Sequence, residues 1–101
     1  MTPDPLFHLV VEDVFNIAKR GTVVTGKIDT GTLKVGDEIM IRSARSGEKK
    51  AVVAGIEMFK KILGQAAQGD NVGVLLKDVS KTDVQHGDEL VSVSSDFTWK
   101  P

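Results

Sequence analysis

The sequence contains no cysteine. Disulfides and thiolate metal sites are thereby excluded, and a small fold without covalent staples suits a cytoplasmic protein. Long apolar runs are also missing. No stretch approaches the roughly 20 residues that a membrane helix needs, so no membrane association is expected. The opening Met1-Thr2-Pro3-Asp4-Pro5 has no basic cluster followed by an apolar core, which argues against a signal peptide. Neither sign of charge dominates: 13 basic residues stand against 14 acidic ones, a formal net charge of −1. No whole-molecule field therefore draws the chain to nucleic acid or anionic lipid. Histidine is scarce. His86 falls in a turn and reads as solvated, whereas His8, in a strand, is more ambiguous. No serine stands in a nucleophile-elbow context. Glu12 and Asp13 cannot act as a dyad along a strand, because neighbours there point to opposite faces. These absences argue against an enzyme, and no metal or cofactor is expected.

What is present is strand-forming. A chain of 101 residues, 41% hydrophobic and 27% charged, is one ordinary globular domain. Residues 1–6, with two prolines, read as a flexible tail; residues 7–94 read as the domain; residues 95–101, with the single Trp99, read as a C-terminal tail. Val- and Thr-rich stretches predict strands at 7–15, 20–28, 38–42, 51–58, 72–77 and 90–93. The charged segment 43–50 reads as a hairpin loop or frayed strand end, and 64–69 as a loop. Gly-Asp precedes a strand three times, at Gly36-Asp37, Gly69-Asp70 and Gly87-Asp88. Glycine reaches positive φ freely and Asp bonds nearby backbone, so the pair reads as turn chemistry. The only helix signal, Ser80 to Asp83, leaves room for about one turn. Short strands with frequent turns indicate an all-β barrel or sandwich.

Gly21-Thr22-Val23-Val24-Thr25-Gly26-Lys27 matches the first seven positions of a phosphate-binding P-loop. Ile28 then stands where Ser or Thr must hold magnesium, and the β-branched segment does not lead into a helix. The glycines fit a bend and a close approach in a strand instead. No magnesium-holding Asp motif or guanine-reading motif accompanies it, so no GTP or ATP binding is expected.

Arg20-Gly21-Thr22-Val23-Val24-Thr25-Gly26, Gly55-Ile56-Glu57-Met58-Phe59 and Gly69-Asp70-Asn71-Val72-Gly73 follow one another in a definite order and spacing. With Glu12-Asp13-Val14-Phe15 and Ile17, they resemble the second domain of the translation elongation factor Tu family, from about residue 9 to 91. The resemblance implies a small closed β-barrel of about six strands, present as a stand-alone chain. It implies that Ile17, Val23 and Leu75 wall an adenine pocket for the 3′ end of aminoacyl-tRNA. Glu57 would lie against the base and its ribose hydroxyl. Asp13, Phe15, Thr25 and Asn71 would border the aminoacyl group. Apolar walls suit an adenine face, a ribose hydroxyl can donate to a carboxylate, and asparagine both donates and accepts. Taken singly, Ile17, Val23 and Leu75 equally suit a core, Asn71 a turn, and Glu57 an exposed strand.

The sequence departs from the family at Lys19, where glycine is usual, and at Lys60, where arginine is usual; the latter loses bidentate geometry. Arg42, Arg45, Lys49, Lys50 and Lys61 read as a solvated face diluted by Glu48 and Glu57. In the family, tRNA lies across three domains, so one barrel is expected to bind it weakly. The alternative partner is a protein: a translation GTPase or other factor on which the barrel docks.

Overall fold

Alternation builds the wall. In Gly21–Thr30 (β3), Thr22, Val24, Gly26 and Ile28 are buried while the residues between them are not. In Asn71–Lys77 (β9), Val72, Val74 and Leu76 are buried in the same way. Successive side chains on a strand point to opposite faces, so each strand gives one face to a core and one to the exterior. The remaining strands of the computed structural model are His8–Val10 (β1), Asp13–Ile17 (β2), Thr32–Lys34 (β4), Glu38–Ser43 (β5), Gly47–Met58 (β6), Lys61–Leu63 (β7), Gln65–Ala67 (β8) and Glu89–Ser92 (β10). Residues 7–17, 21–45, 47–58 and 61–93 are described; the expected tails, Lys19, Phe59, Lys60 and Trp99 lie outside them. Among the described residues there is no helix, and hence none long and apolar enough to cross a membrane.

Six antiparallel strands close in the order β1-β10-β5-β6-β9-β3 and back to β1. Leu9 makes the closure, facing Leu90 of β10 on one side and Ile28 of β3 on the other. The inner rows are apolar: Leu9, Leu90 and Ile41 in one, Val24, Val74 and Ile56 in another, all fully buried. Closure removes the unpaired edges that an open sheet would expose. The expected closed barrel of about six strands is the observed fold.

Local expectations fare unevenly. The strand expected over 7–15 is broken in two. Between β1 and β2, Val11 donates to the Asp88 carbonyl at 2.8 Å and accepts from the Gly87 amide at 2.9 Å. Both halves nevertheless pair with β3. Gly26 lies where they part; a Cβ there would run into the Val10 carbonyl oxygen and come within 2.9 Å of Leu9. The close approach expected of this glycine is therefore real. The segment 43–50 is a hairpin paired from Ser43↔Gly47 onward, with most of its charged residues inside β6. The loop expected at 64–69 holds a short strand, β8, whose Ala66 faces Leu33 of β4; both side chains are buried. Alanines carry no strand signal, so only this long-range pairing reveals β8.

The three Gly-Asp turns share one geometry. Gly36, Gly69 and Gly87 have φ of 97°, 94° and 92°. The Asp that follows accepts, through its carboxylate, from the amide three residues earlier: Lys34 at 2.9 Å, Ala67 at 3.0 Å and Gln85 at 2.8 Å. Ser80 and Asp83 make the same carboxylate-to-amide bond at 2.9 Å, in a turn and not in a helix.

Candidate functional site

Register carries the outer face as it carries the core. Across β7, β6, β9, β3 and β2 one outer row reads Ile62, Glu57, Gly73, Thr25 and Asp13. The next reads Gly55, Leu75, Val23 and Phe15. Ile17 lies one row further, opposite Gly21, and Asn71 lies opposite Lys27 beyond Thr25. All eight residues singled out in the sequence thus stand on one face of four adjacent strands.

A bulge makes this possible on β6. Val53 faces Leu76 and Gly55 faces Leu75, so Ala54 is an extra residue in the strand. Ala51, Val53 and Ile56 are buried. By plain alternation after Val53, Gly55 and Glu57 would point inward. The bulge places two small residues against one, bends the strand and leaves Glu57 outside.

The result is a cleft of about 320 Å³, at the small end of the ligand-pocket range. Phe15, Ile17, Val23, Glu57 and Leu75 line it, together with Ala54, Gly55, Ile56, Ile62 and Gly73. The missing side chains matter as much as those present. A Cβ on Gly73 would stand 3.5 Å from Val23 Cγ1, and one on Gly55 would stand 3.7 Å from Leu75 Cβ. The glycines leave a floor, with β6 and β7 rising on one side and β2 and β3 on the other. Ile17, Val23 and Leu75 are not core residues; they are wall residues, half-buried or exposed. Asp13, Thr25 and Asn71 share the face without lining the cleft. Among the described residues Glu57 makes no ion pair, so its carboxylate lies at the margin as an acceptor with no ionic partner among them.

Sequence reasoning assigned no role to Gly55, Gly73, Ala54 or Ile62. A lone glycine inside a strand signals a bulge or a close approach, and both glycines carried that signal. Ile62 carried none, because β7 has no pattern of its own.

The basic residues expected to form a solvated face are exposed, and several are engaged. Arg42 Nε lies 3.7 Å from Glu48, Lys49 Nζ lies 3.9 Å from Asp83, and Arg45 Nη1 donates to Gln85 at 3.2 Å. A second depression of about 320 Å³ lies on the β1–β10–β5 side, lined in part by His8, Met40, Arg42 and Glu48. There His8 Nδ1 stands 3.1 Å from Asp29 and Nε2 stands 3.0 Å from Glu89. Only the imidazolium donates to both. The hydrogen bond with Glu89 is the main influence raising the His8 pKa above its ordinary 6.5, against the opposing effect of burial; Asp29 raises it further. The same bond lowers the Glu89 pKa from its ordinary 4.5. His86 is exposed, as expected. Residues 21–27 lie within β3, which runs on as a strand and lacks the strand-to-helix geometry of a P-loop. Among the described residues no group of three or more His, Asp or Glu side chains could hold a metal ion.

A closed six-stranded antiparallel barrel with an apolar cleft on its outer wall defines a small β-barrel domain of the translation-factor type. Residues 21–91, well over half the chain, match the family described as Elongation factor Tu domain 2. The chain belongs to that family, whose barrel is a non-catalytic domain.

Proposed function

We propose that the cleft receives the 3′-terminal adenosine of aminoacyl-tRNA. In this reading the base lies against Val23, Leu75 and Ile17, and Glu57 accepts from the ribose hydroxyl or the base edge. Asp13, Phe15, Thr25 and Asn71 border the attached amino acid. The chain carries out no chemistry, binds no nucleotide triphosphate of its own and works in the cytoplasm. The observation that carries the reading is the outer-face register. Eight residues scattered from Asp13 to Leu75 fall on one surface, five of them around a cleft floored by glycine. Apolar walls with one acceptor match a ring that has two faces and a donor at its edge.

Magnitudes set the expected strength. A stacked base contributes about 1–3 kcal/mol and a hydrogen bond to Glu57 about 1 kcal/mol more, so one barrel holding one nucleotide binds at about millimolar affinity at best. The test is an NMR titration of the labelled protein with aminoacyl-tRNA and with deacylated tRNA. Shifts should localise around Val23, Gly73 and Leu75 and be stronger for the aminoacylated form. Glu57→Ala and Asn71→Ala should remove the localised response and leave the fold intact. A saturating titration that moves nothing in this patch would overturn the reading.

The second reading is a protein-interaction module docking on a translation GTPase or another translation partner. It is favoured by Val10 and Val35, exposed apolar side chains that do not line the cleft. Such a partner would shift Val10 or Val35 and leave Gly73 unmoved.

A further inference from the structure

We propose that Ile62 is the outer wall of the cleft, lying over a bound unpaired nucleobase on the side opposite Val23. This deepens the preceding reading and rests on it.

Ile62 is 84% exposed, and Phe15, the next most exposed large hydrophobic side chain among the described residues, reaches only 49%. An isoleucine so open to water gains nothing for the fold. It also sits on β7, three residues long and paired only to β6. Such an edge strand usually carries charge, because an apolar edge invites association; β7 does so at Lys61, and Ile62 beside it is the exception. Three of the five exposed large hydrophobic side chains among the described residues, Phe15, Ile17 and Ile62, line this one cleft, and exposed apolar surface gathered in one place marks a binding site.

Register defines what Ile62 can do there. It stands directly opposite Glu57, and Glu57 stands opposite Gly73. Thr25 follows on β3, flanking Val23. Ile62 and Val23 thus rise on opposite sides of a glycine floor, with the acceptor Glu57 between floor and outer wall. Neighbouring strands lie about 4.8 Å apart, so β7 and β3, with β6 and β9 between them, stand roughly 14 Å apart at the backbone. Side chains from both sides narrow that to a slot for a flat ring. A ring held there has both faces against apolar groups and an edge toward a carboxylate that only accepts. The ligand class this fits is an unpaired base with a donor at its edge or on its ribose.

The exposure of Ile62 makes the test clean, since its truncation costs the fold little. Labelled wild-type, Ile62→Ser, Ile62→Leu and Glu57→Ala proteins would be titrated with aminoacyl-tRNA, with thermal unfolding of each alongside. The expected result is binding about five-fold or more weaker for Ile62→Ser, within about two-fold of wild type for Ile62→Leu, and unchanged melting for both. If Ile62→Ser binds as wild type does while Glu57→Ala loses binding, this inference falls and the site reading stands. If the wild-type cleft does not respond at all, both fall. Shifts confined to the β7 amides, without Val23 and Leu75, would mean an extended chain adding to the β7 edge, and would also overturn it.

Discussion

Two depressions in the barrel wall, one on the β2–β3–β9–β6 side and one on the β1–β10–β5 side, each measure about 320 Å³. Equal volume hides unequal chemistry. In the second, His8 already faces Asp29 and Glu89, and Arg42 lies 3.7 Å from Glu48 and 3.9 Å from Glu89. A ligand entering there must separate ion pairs before it gains any. In the first, the walls are apolar and Glu57 has no ionic partner among the described residues. A ligand there displaces water and meets an acceptor that no described residue engages in an ion pair. The lesson is that a hollow becomes a candidate site through interactions still unmade, and size alone does not distinguish the two.

The comparison can be broken most forcefully beneath the ion-paired side. Leu9 closes the ring and is fully buried, so Leu9→Ala should cost about 2–5 kcal/mol. Val23→Ala, on the outer wall of the cleft, should cost about 1 kcal/mol or less. Urea unfolding of both proteins checks the difference, and equal losses would mean that Val23 serves the fold as much as the site. The next effect is on binding. A Cβ on Gly73 would meet its neighbours at ordinary van der Waals distance, the backbone φ there is not positive, and the rest of a leucine would enter the open cleft, so Gly73→Leu should fold normally. It should fill the floor and lower affinity for aminoacyl-tRNA about ten-fold or more by NMR titration, the loss of roughly one stacking contact. Undiminished binding would show that the cleft is not where the ligand sits.

The smallest effect belongs to the ion pairs. His8 has its pKa raised in the folded state, so its contribution is fully present below about 6.5 and fades as pH rises through the folded value. Glu89 is lowered, so its contribution is present above about 4.5 and fades as pH falls through its folded value. The bridge is therefore strongest between these limits, near pH 5–6, and is worth about 0.2–1 kcal/mol for such exposed partners. Glu89→Gln should bring the His8 pKa measured by NMR down toward its ordinary value. A His8 pKa that does not move would show that the two side chains do not meet in solution.

How much of this was legible in the sequence depends on the range of the interaction concerned. The Gly-Asp turns are local, and all three formed as their residues suggested. β3 and β9 were visible for the same reason, from the β-forming residues within them, although their alternating burial was not. The eight site residues came from the family resemblance, and only strand register shows that they share a face. Their neighbours escaped notice because nothing local marks them. β8 reads as loop because Ala66 and Ala67 have no strand preference, and its pairing partner lies more than thirty positions away at Leu33. The break at Val11 is hidden inside a run of β-formers, since its cause is a hydrogen bond to Asp88. His8 was ambiguous because its two carboxylates come from distant strands. Ile62 looks like any apolar residue until its exposure is known.

The bulge at Ala54 has a consequence for changes of length. Substitutions in the cleft alter what a side chain is, whereas the count of residues between Val53 and Glu57 decides how the strand bends beneath them. Loss of Ala54 would let Gly55 follow Val53 in regular pairing. Glu57 would still face outward and Ile56 inward, and no side chain of either row would be replaced. Only the curvature would go. Shape and composition are thus separable here by a one-residue deletion. An insertion just before Glu57 has no such neutrality, for unless a second bulge absorbs it, it turns the carboxylate into the core. Transplanting this surface onto another barrel would require carrying over the spacing of the strand as well as its residues.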